Sequence, residues 1–261
     1  MNFLSSKQWP QGLQEQMVKN WDIFPYRFMV LDDSGSMSVV DGTTLMSTGA
    51  ITKAVTCSRW HEMRATVQFH LDLADTSKAP TEFCFLNAAE PIVVGEGDDD
   101  DGMGKTKVNK ILNGDPSGGT PLCRVLEAIR VKVKLMEPEL RERGQKVAIT
   151  IFTDGKASDG DMKRVLSTFN HLPVWMVIRL CTNDDDVAEY WADVDDNIEL
   201  EMDVLDDLRG EALEINRMNK WLTYGQPLHM LRESGCRVKV FDRLDEARLP
   251  ISDIHAACPL I

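Results

Sequence analysis

Three short apolar segments constrain the fold of this chain more than any other feature. They surround residues 28, 147 and 174, and nearly every position within them is apolar. A strand with apolar residues on both of its sides belongs in a sheet that is covered on both faces, as parallel sheets are. The same reasoning along the whole chain predicts strands at 28–31, 83–86, 92–94, 147–152, 174–181 and, from a weaker pattern, 238–241.

Helical patterns alternate with these strands. Apolar side chains recur at helical spacing over 60–74, 122–136 and 162–169. Ser58 is a candidate cap for the first of these helices, and Pro138 marks a kink or an end in the second. Alternating strands and helices need crossover connections, which produce parallel sheets. The sequence therefore predicts an α/β fold, doubly wound around a mainly parallel central sheet that is flanked by helices.

The chain is interpreted as one domain, residues 25–261, preceded by an N-terminal extension, residues 1–24, that packs on it. An acidic and helical stretch at about 183–235 is interpreted as an insertion, because the weak strand 238–241 follows it. Residues 95–119 are rich in Gly and Asp, and we expect them to be mainly loop.

The charge of the chain narrows its possible partners. It carries 29 Lys and Arg residues against 42 Asp and Glu residues, which gives a formal charge of −13. Nucleic acids and anionic membranes bind basic surfaces, so neither is the expected partner. No segment has the ~18 consecutive apolar residues of a membrane span, and the N-terminus lacks the pattern of a secretory signal. The six cysteines are scattered without a CxxC pair, as in reduced intracellular proteins. We therefore expect a cytoplasmic protein without a membrane span.

Oxygen-bearing side chains directly follow the first predicted strand. The segment reads Asp32-Asp33-Ser34-Gly35-Ser36-Met37, and alternate residues of a loop can point to the same side. Ligands of open parallel sheets bind outside the carboxyl ends of the strands, so this loop lies at the expected functional edge. Taken alone, such clusters are usually turns or helix caps, and the motif needs support from elsewhere in the chain.

Two further segments supply that support. Thr120 lies after Gly118 and Gly119 on a loop that opens a helix, and Asp154 follows strand 147–152. Two carboxylates and three hydroxyls are hard oxygen donors, which suit Mg²⁺, Ca²⁺ or Mn²⁺ better than Zn²⁺. The predicted metal ligands are Asp32, Ser34, Ser36, Thr120 and Asp154. The residues predicted to line the rim of the site are Asp33, Gly35, Met37, Gly118, Gly119 and Gly155.

This three-part pattern resembles the signature of the von Willebrand factor A (vWA) domain family, whose members carry a metal-ion-dependent adhesion site (MIDAS). An Asp-x-Ser-x-Ser motif, a distant Thr and a more distant Asp occur in the family's order, at 32–36, 120 and 154. The resemblance extends over about residues 25–182 and implies a Rossmann-like vWA fold with a bound divalent cation, usually Mg²⁺. It also implies that the two serines bind the metal directly, that Thr120 binds directly or through water, and that the aspartates often act through water.

The resemblance further implies a cation-dependent protein-binding module, in which an Asp or Glu side chain of a partner protein becomes the sixth ligand of the metal. The residues themselves leave two alternatives open. One is a metal-assisted hydrolase, since a bound cation can activate water. No general base or second metal site is visible, so we do not expect an enzyme. The other is a structural scaffold whose metal site has no function. The partner, the preferred cation and the oligomeric state are not indicated.

Other motifs have simpler interpretations. The acidic run at 98–101 is interpreted as a solvated surface loop, with a weak accessory cation site as the alternative. The acidic runs at 184–186 and 193–196 are interpreted as solvated helix ends, with a patch for a basic partner as the alternative. The five histidines are expected in scattered structural or surface positions. Three tryptophans that are harder to place are candidates for partner anchors at the surface: Trp9, Trp21 and Trp191.

Overall fold

A six-stranded sheet forms the centre of the computed structural model, which describes residues 2–48, 51–96, 102–182 and 184–257. The strands of the chain are Tyr26–Leu31 (β1), Gly42–Thr48 (β2), Ile51–Cys57 (β3), Thr81–Phe85 (β4), Ile92–Val94 (β5), Val147–Thr153 (β6), Val174–Leu180 (β7) and Met202–Leu205 (β8). The helices are Asn2–Ser6 (α1), Gln11–Ile23 (α2), Arg59–Ser77 (α3), Met103–Leu112 (α4), Leu122–Glu142 (α5), Met162–Ser167 (α6), Asp185–Asp196 (α7), Leu208–Met218 (α8), Gln226–Glu233 (α9), Lys239–Asp242 (α10) and Ile251–Ala257 (α11). A short 3₁₀ helix, Gly35–Ser38, follows β1.

The order of strands in the main sheet is β5-β4-β1-β6-β7-β8. Strand β5 runs antiparallel to β4, and every other neighbouring pair is parallel. From β1 the chain builds outward through β4 to β5, and then returns to β6 and builds to the other side. Strands β1 and β6 therefore form the switch point outside which open α/β sheets bind ligands. The predicted α/β fold with a mainly parallel central sheet is confirmed.

Helices cover both faces of this sheet. Phe28 and Val30 enter an apolar cluster with residues of α5, α6 and α7. Met29 and Leu31 enter a second cluster with residues of α3 and α4 on the opposite face. Because alternate residues of β1 pack into different clusters, the strand is apolar at consecutive positions, as its sequence indicated.

Local sequence signals determine several helix ends. The Ser58 hydroxyl accepts a hydrogen bond from the His61 backbone N–H at 3.2 Å, which confirms the predicted cap of α3. The Asp161 carboxylate accepts one from the Arg164 backbone N–H at 3.3 Å and caps α6. Helix α5 continues past Pro138 to Glu142, so the proline does not mark its end.

The predicted strand at 238–241 is wrong, because this segment forms helix α10 with only Phe241 buried. The sixth strand is β8, which pairs with β7 and lies inside the acidic stretch that was interpreted as a helical insertion. The segment 238–241 has only four residues, which are too few for the spacing of apolar side chains to distinguish a strand from a helix.

The expectation of loop over 95–119 is also wrong in part, because α4 lies within it. Val108 and Leu112 of α4 are buried, four residues apart on one helix face. The high content of Gly and Asp in this region hid that spacing. The acidic run at 98–101 lies outside the described residues, so its prediction stays a prediction.

The two ends of the chain share an apolar cluster. Leu4 and Trp9 pack there with Leu228 and Phe241. Trp9 is therefore a core residue, and Trp191 is fully buried as well, so neither is a surface anchor for a partner. Trp21 is partly buried against the same cluster. The acidic run 184–186 is exposed at the start of α7, where Asp184 caps the helix, and 193–196 forms its last turn.

Two absences can be stated for the described residues. None of their helices combines the length and the apolar character that crossing a membrane requires. None of the five cysteines among them is in a disulfide.

A buried ionic cluster, which we call the Arg179 cluster, joins β7 to α3 and α9. The Arg179 guanidinium lies 2.5 Å from a carboxylate oxygen of Glu62 and 3.4 Å from one of Glu233. Glu233 also lies 3.1 Å from His70 Nε2. His229 Nε2 is 3.3 Å from Glu233 Oε1, without the geometry of a hydrogen bond. His70 and His229 therefore have structural positions, as was expected of the histidines. They are not scattered, however, because both lie beside the carboxylate of Glu233.

Candidate metal centre

Asp32 is held between the ends of the two central strands. Its backbone N–H donates to the Phe152 carbonyl at 2.9 Å, which extends the ladder between β1 and β6 by one residue. One carboxylate oxygen accepts the Ser34 backbone N–H at 3.0 Å, and the other accepts the Thr153 hydroxyl at 2.8 Å. The side chain is therefore oriented by both strand ends.

Three more of the predicted ligands form a chain of hydrogen bonds beside it. The Ser34 and Ser36 hydroxyl oxygens are 3.0 Å apart. The Ser36 hydroxyl donates to Asp154 Oδ1 at 2.9 Å. The turn after β1 thus brings its two serines to the carboxylate that follows β6, although 118 positions separate Ser36 from Asp154 in the sequence.

The loop that carries Thr120 is fastened to both strand-end loops. The Gly35 backbone N–H donates to the Gly118 carbonyl at 3.2 Å. On the other side, the Thr120 backbone N–H donates to the Ser158 hydroxyl at 3.2 Å. Within the described residues no hydrogen bond joins the Thr120 side chain to the other four predicted ligands. The structure therefore brings four of the five together and places the loop of the fifth against them.

Asn87, which the sequence analysis missed, holds the rim of the site. Its backbone and side-chain N–H groups donate to Asp33 Oδ1 at 2.9 and 2.8 Å. The side-chain amide also donates to the Gly119 carbonyl at 2.9 Å. Asn87 comes two residues after β4, so a polar residue behind a third parallel strand was the signal that could have found it.

Gly118 is the rim residue whose backbone most clearly requires glycine. Its φ is +102°, and a Cβ atom at this position would lie 2.4 Å from the side-chain oxygen of Asn87. Most L residues avoid this backbone region, and the contact leaves no room for a methyl group.

We therefore expect Gly118→Ala to lower the free energy of unfolding more than Gly144→Ala does. Gly144 also has a positive φ, +64°, but nothing lies within 4 Å of its Cβ position. The control should cost about 1 kcal/mol from its backbone alone, and Gly118→Ala at least about 1 kcal/mol more, because Asn87 must move. Urea denaturation of both variants measures the difference, and equal losses would contradict the proposed contact.

Arg59 is the second residue that the sequence analysis missed. Its guanidinium donates to Asp154 Oδ2 at 2.9 Å and to both oxygens of Asp41 at 2.7 and 2.6 Å. Its hydrogen bonds lower the pKa of Asp41. Asp154 thus accepts hydrogen bonds from both Ser36 and Arg59. The same guanidinium also binds Asp41, the residue before β2.

The electrostatics of Asp32 differ from those of Asp154. Asp32 is 0% exposed, and no cationic side chain of the described residues forms an ion pair with it. Burial raises its pKa, and the charge of Asp154 raises it further. A divalent cation would favour the ionised form of both carboxylates.

The donor set fits a hard divalent cation. It consists of two carboxylates and neighbouring hydroxyls, without a soft sulfur or imidazole donor. In the described part of the chain no group of three or more His, Cys, Asp or Glu residues could hold a metal ion. A cation at this site would therefore depend on the serine and threonine hydroxyls as well as on the aspartates.

Two other rim residues have structural contacts. Met37 is fully buried in the cluster with α3 and α4. The Gly155 carbonyl accepts a hydrogen bond from the Trp191 indole N–H at 3.2 Å, which ties the loop after β6 to α7.

Comparisons with known proteins give fold similarities only. No protein-family model and no curated protein matches the chain. The solved SpRpn10 VWA domain is 10% identical with a TM-score of 0.46, and the match covers 69% of this chain and 86% of that one. The solved conserved hypothetical protein BatB from Bacteroides thetaiotaomicron is 13% identical with a TM-score of 0.43, and the match covers 74% and 95%. At these values neither similarity assigns the chain to a family.

Proposed function

We propose that this chain is a vWA-type protein-binding module that depends on a divalent cation. The observation that carries the proposal is the hydrogen-bonded chain Ser34–Ser36–Asp154, which lies beside Asp32 at the switch point of the sheet. Open parallel sheets bind their ligands at such a switch point. The two carboxylates and the two serine hydroxyls follow two strand ends that the fold itself brings together.

The residues that would hold the cation have distinct roles. Ser34 and Ser36 offer neutral oxygens, while Asp32 and Asp154 balance the charge of the ion. The Thr120 hydroxyl completes the set. Neutral ligands would leave the cation electrophilic. A coordination position would then remain for an oxygen atom that belongs to another molecule. A carboxylate of a partner protein is the proposed occupant, and Mg²⁺ is the proposed ion, with Ca²⁺ or Mn²⁺ as alternatives.

Calorimetric titration of Mg²⁺ into the wild type and the double variant Ser34→Ala/Ser36→Ala tests the metal site. We expect heat of binding for the wild type and at least about a hundredfold weaker binding for the variant, which lacks two ligand oxygens. Ser38→Ala is the matched control, because Ser38 lies in the same 3₁₀ helix and is exposed. Equal titrations of the wild type and the double variant would refute the site.

The partner is tested by capture from a native extract on the immobilised chain. Bound protein should elute with EDTA, and the double variant should not retain it even with Mg²⁺ present. A protein that stays bound in EDTA and on the double variant would argue against a metal-mediated contact.

A further inference from the structure

Exposed apolar side chains are concentrated in the segment that follows the metal ligands. Twelve large hydrophobic residues are exposed in the described part of the chain, and five of them lie between residues 39 and 55. These five are Val39, Val40, Leu45, Met46 and Val55, with exposed fractions of 45%, 67%, 47%, 53% and 39%. We call the described residues 39–48 and 51–55 the hairpin segment. Apolar surface of this density on a soluble domain usually marks an interaction site.

Little of the hairpin segment's own structure covers these side chains. Strands β2 and β3 pair only with each other among the described strands and form a separate two-stranded sheet. Leu45 lies opposite Ala54, and Met46 lies opposite Lys53. Because successive residues of a strand point to opposite faces, both faces of the hairpin carry exposed apolar residues. A two-stranded hairpin of this kind is marginally stable alone.

The root of the hairpin is firmly held, in contrast to its outer part. The Thr43 backbone N–H donates to Glu62 Oε2 at 2.7 Å. The Cβ position of Gly42 lies 2.9 Å from that same oxygen. The hairpin is therefore fixed to α3 at its root, while Leu45, Met46 and Val55 farther along it are exposed.

The root also adjoins the candidate metal centre. The Arg59 backbone N–H donates to the Val39 carbonyl at 3.0 Å. The Arg59 side chain joins Asp41, the residue before β2, to the proposed ligand Asp154. The exposed apolar surface therefore begins at the metal loop and continues from it.

The charge of the hairpin indicates the chemistry of what covers it. Lys53 is the one charged residue between 42 and 57, in a chain whose formal charge is −13. Asp41 is paired with Arg59, so Lys53 is the remaining charge of the hairpin segment. The segment is therefore weakly cationic and apolar, in contrast to the acidic remainder of the chain. An acidic segment with apolar side chains complements both properties.

We propose that the hairpin segment is the second half of the partner interface and receives an extended, acidic-apolar segment of the partner protein. The carboxylate of that segment reaches the cation, and its apolar side chains cover Leu45, Met46 and Val55. The outer edge of β2 or β3 offers unpaired backbone groups with which an extended segment can pair. This inference rests on the proposed function.

The test uses the full chain and random 12-residue peptides displayed on phage, selected in Mg²⁺. Enriched peptides are synthesised, and their Kd values are measured by fluorescence polarisation. The hairpin variant is Leu45→Ser/Met46→Ser/Val55→Ser. The matched control is Val131→Ser/Leu135→Ser, which removes exposed apolar residues from α5. Mg²⁺ titrations of all three proteins are run in parallel.

We expect enriched peptides with an Asp or Glu beside alternating apolar residues. The hairpin variant should bind them at least about tenfold more weakly, and the control within about twofold. Mg²⁺ affinity should be the same in all three proteins, which separates this inference from the metal site. Failure of the wild type to bind Mg²⁺ would instead refute the proposed function.

Three results would overturn the inference. The first is equal peptide affinity of the wild type and the hairpin variant. The second is the absence of enriched acidic-apolar peptides on the wild type. The third is a dimer of the wild type, measured by light scattering, that the hairpin substitutions dissociate, since the occupant would then be a second copy of the chain.

Discussion

The Asp32→Asn variant is expected to lose Mg²⁺ binding without losing stability in the absence of metal. Asp32 is fully buried, and burial raises its pKa, so the folded protein holds this carboxylate at a cost. An Asn side chain can accept the Ser34 backbone N–H and can donate to the Thr153 hydroxyl. The hydrogen bonds are therefore retained while the buried charge is removed. Replacing a residue that serves function at a cost in stability commonly removes the function without destabilising the fold.

Thermal and urea denaturation with and without Mg²⁺ measure both halves of this prediction. At a concentration of 100 times Kd, Mg²⁺ should stabilise the wild type by about 2.7 kcal/mol and the variant by nothing measurable. Asp196→Asn is the control, because it makes the same chemical change at the exposed end of α7. A variant that is markedly less stable than the wild type without metal would show that Asp32 has a structural role.

The Arg179→Met variant is expected to lose about 3–5 kcal/mol of unfolding free energy. Arg179 is 2% exposed and is the cation between Glu62 and Glu233, which are themselves buried. Met fills a similar volume but leaves two buried carboxylates without their guanidinium. The penalty comes from burying these two carboxylates without a guanidinium and not from a cavity.

A triple variant separates that cause from loss of packing. Arg179→Met combined with Glu62→Gln and Glu233→Gln removes both negative charges and should recover part of the lost free energy. Arg143→Met is the surface control, because Arg143 pairs with Glu139 in solvent. It should change stability by no more than about 0.5 kcal/mol. If the triple variant is less stable than Arg179→Met alone, charge is not the cause.

The central strands could be predicted because both of their faces are buried. Phe28 to Leu31 is apolar without interruption, and each residue does pack into one of two clusters. Strand β8 could not be found in the same way, because it lies at the edge and reads Met-Asp-Val-Leu. Its pairing with β7 decides its structure, and a pairing partner is not visible in the local sequence.

The candidate site was predictable where its ligands lie directly after buried strands. Asp32 and Asp154 follow β1 and β6, and the order of strands brings them together. Arg59 and Asn87 were missed for a different reason. Arg59 reaches Asp154 from the start of a helix, and Asn87 reaches Asp33 from the loop after β4. The place of Asn87 after β4 was a signal that could have found it. The contacts themselves depend on how the loops are arranged in three dimensions, and the start of helix α3 carried no such signal for Arg59.

The position of the site within the sheet has a consequence for backbone exchange with solvent. Strands β1 and β6 are each hydrogen-bonded on both sides, whereas β2 and β3 have one partner each. Amide hydrogens in the middle of such a sheet exchange only when the whole domain opens, while those of a lone hairpin exchange through local fluctuations. The two carboxylates that would receive a cation, Asp32 and Asp154, thus directly follow the slowest-exchanging strands of the molecule. The surface beside them belongs to a fast-exchanging part, which can adjust to what it binds.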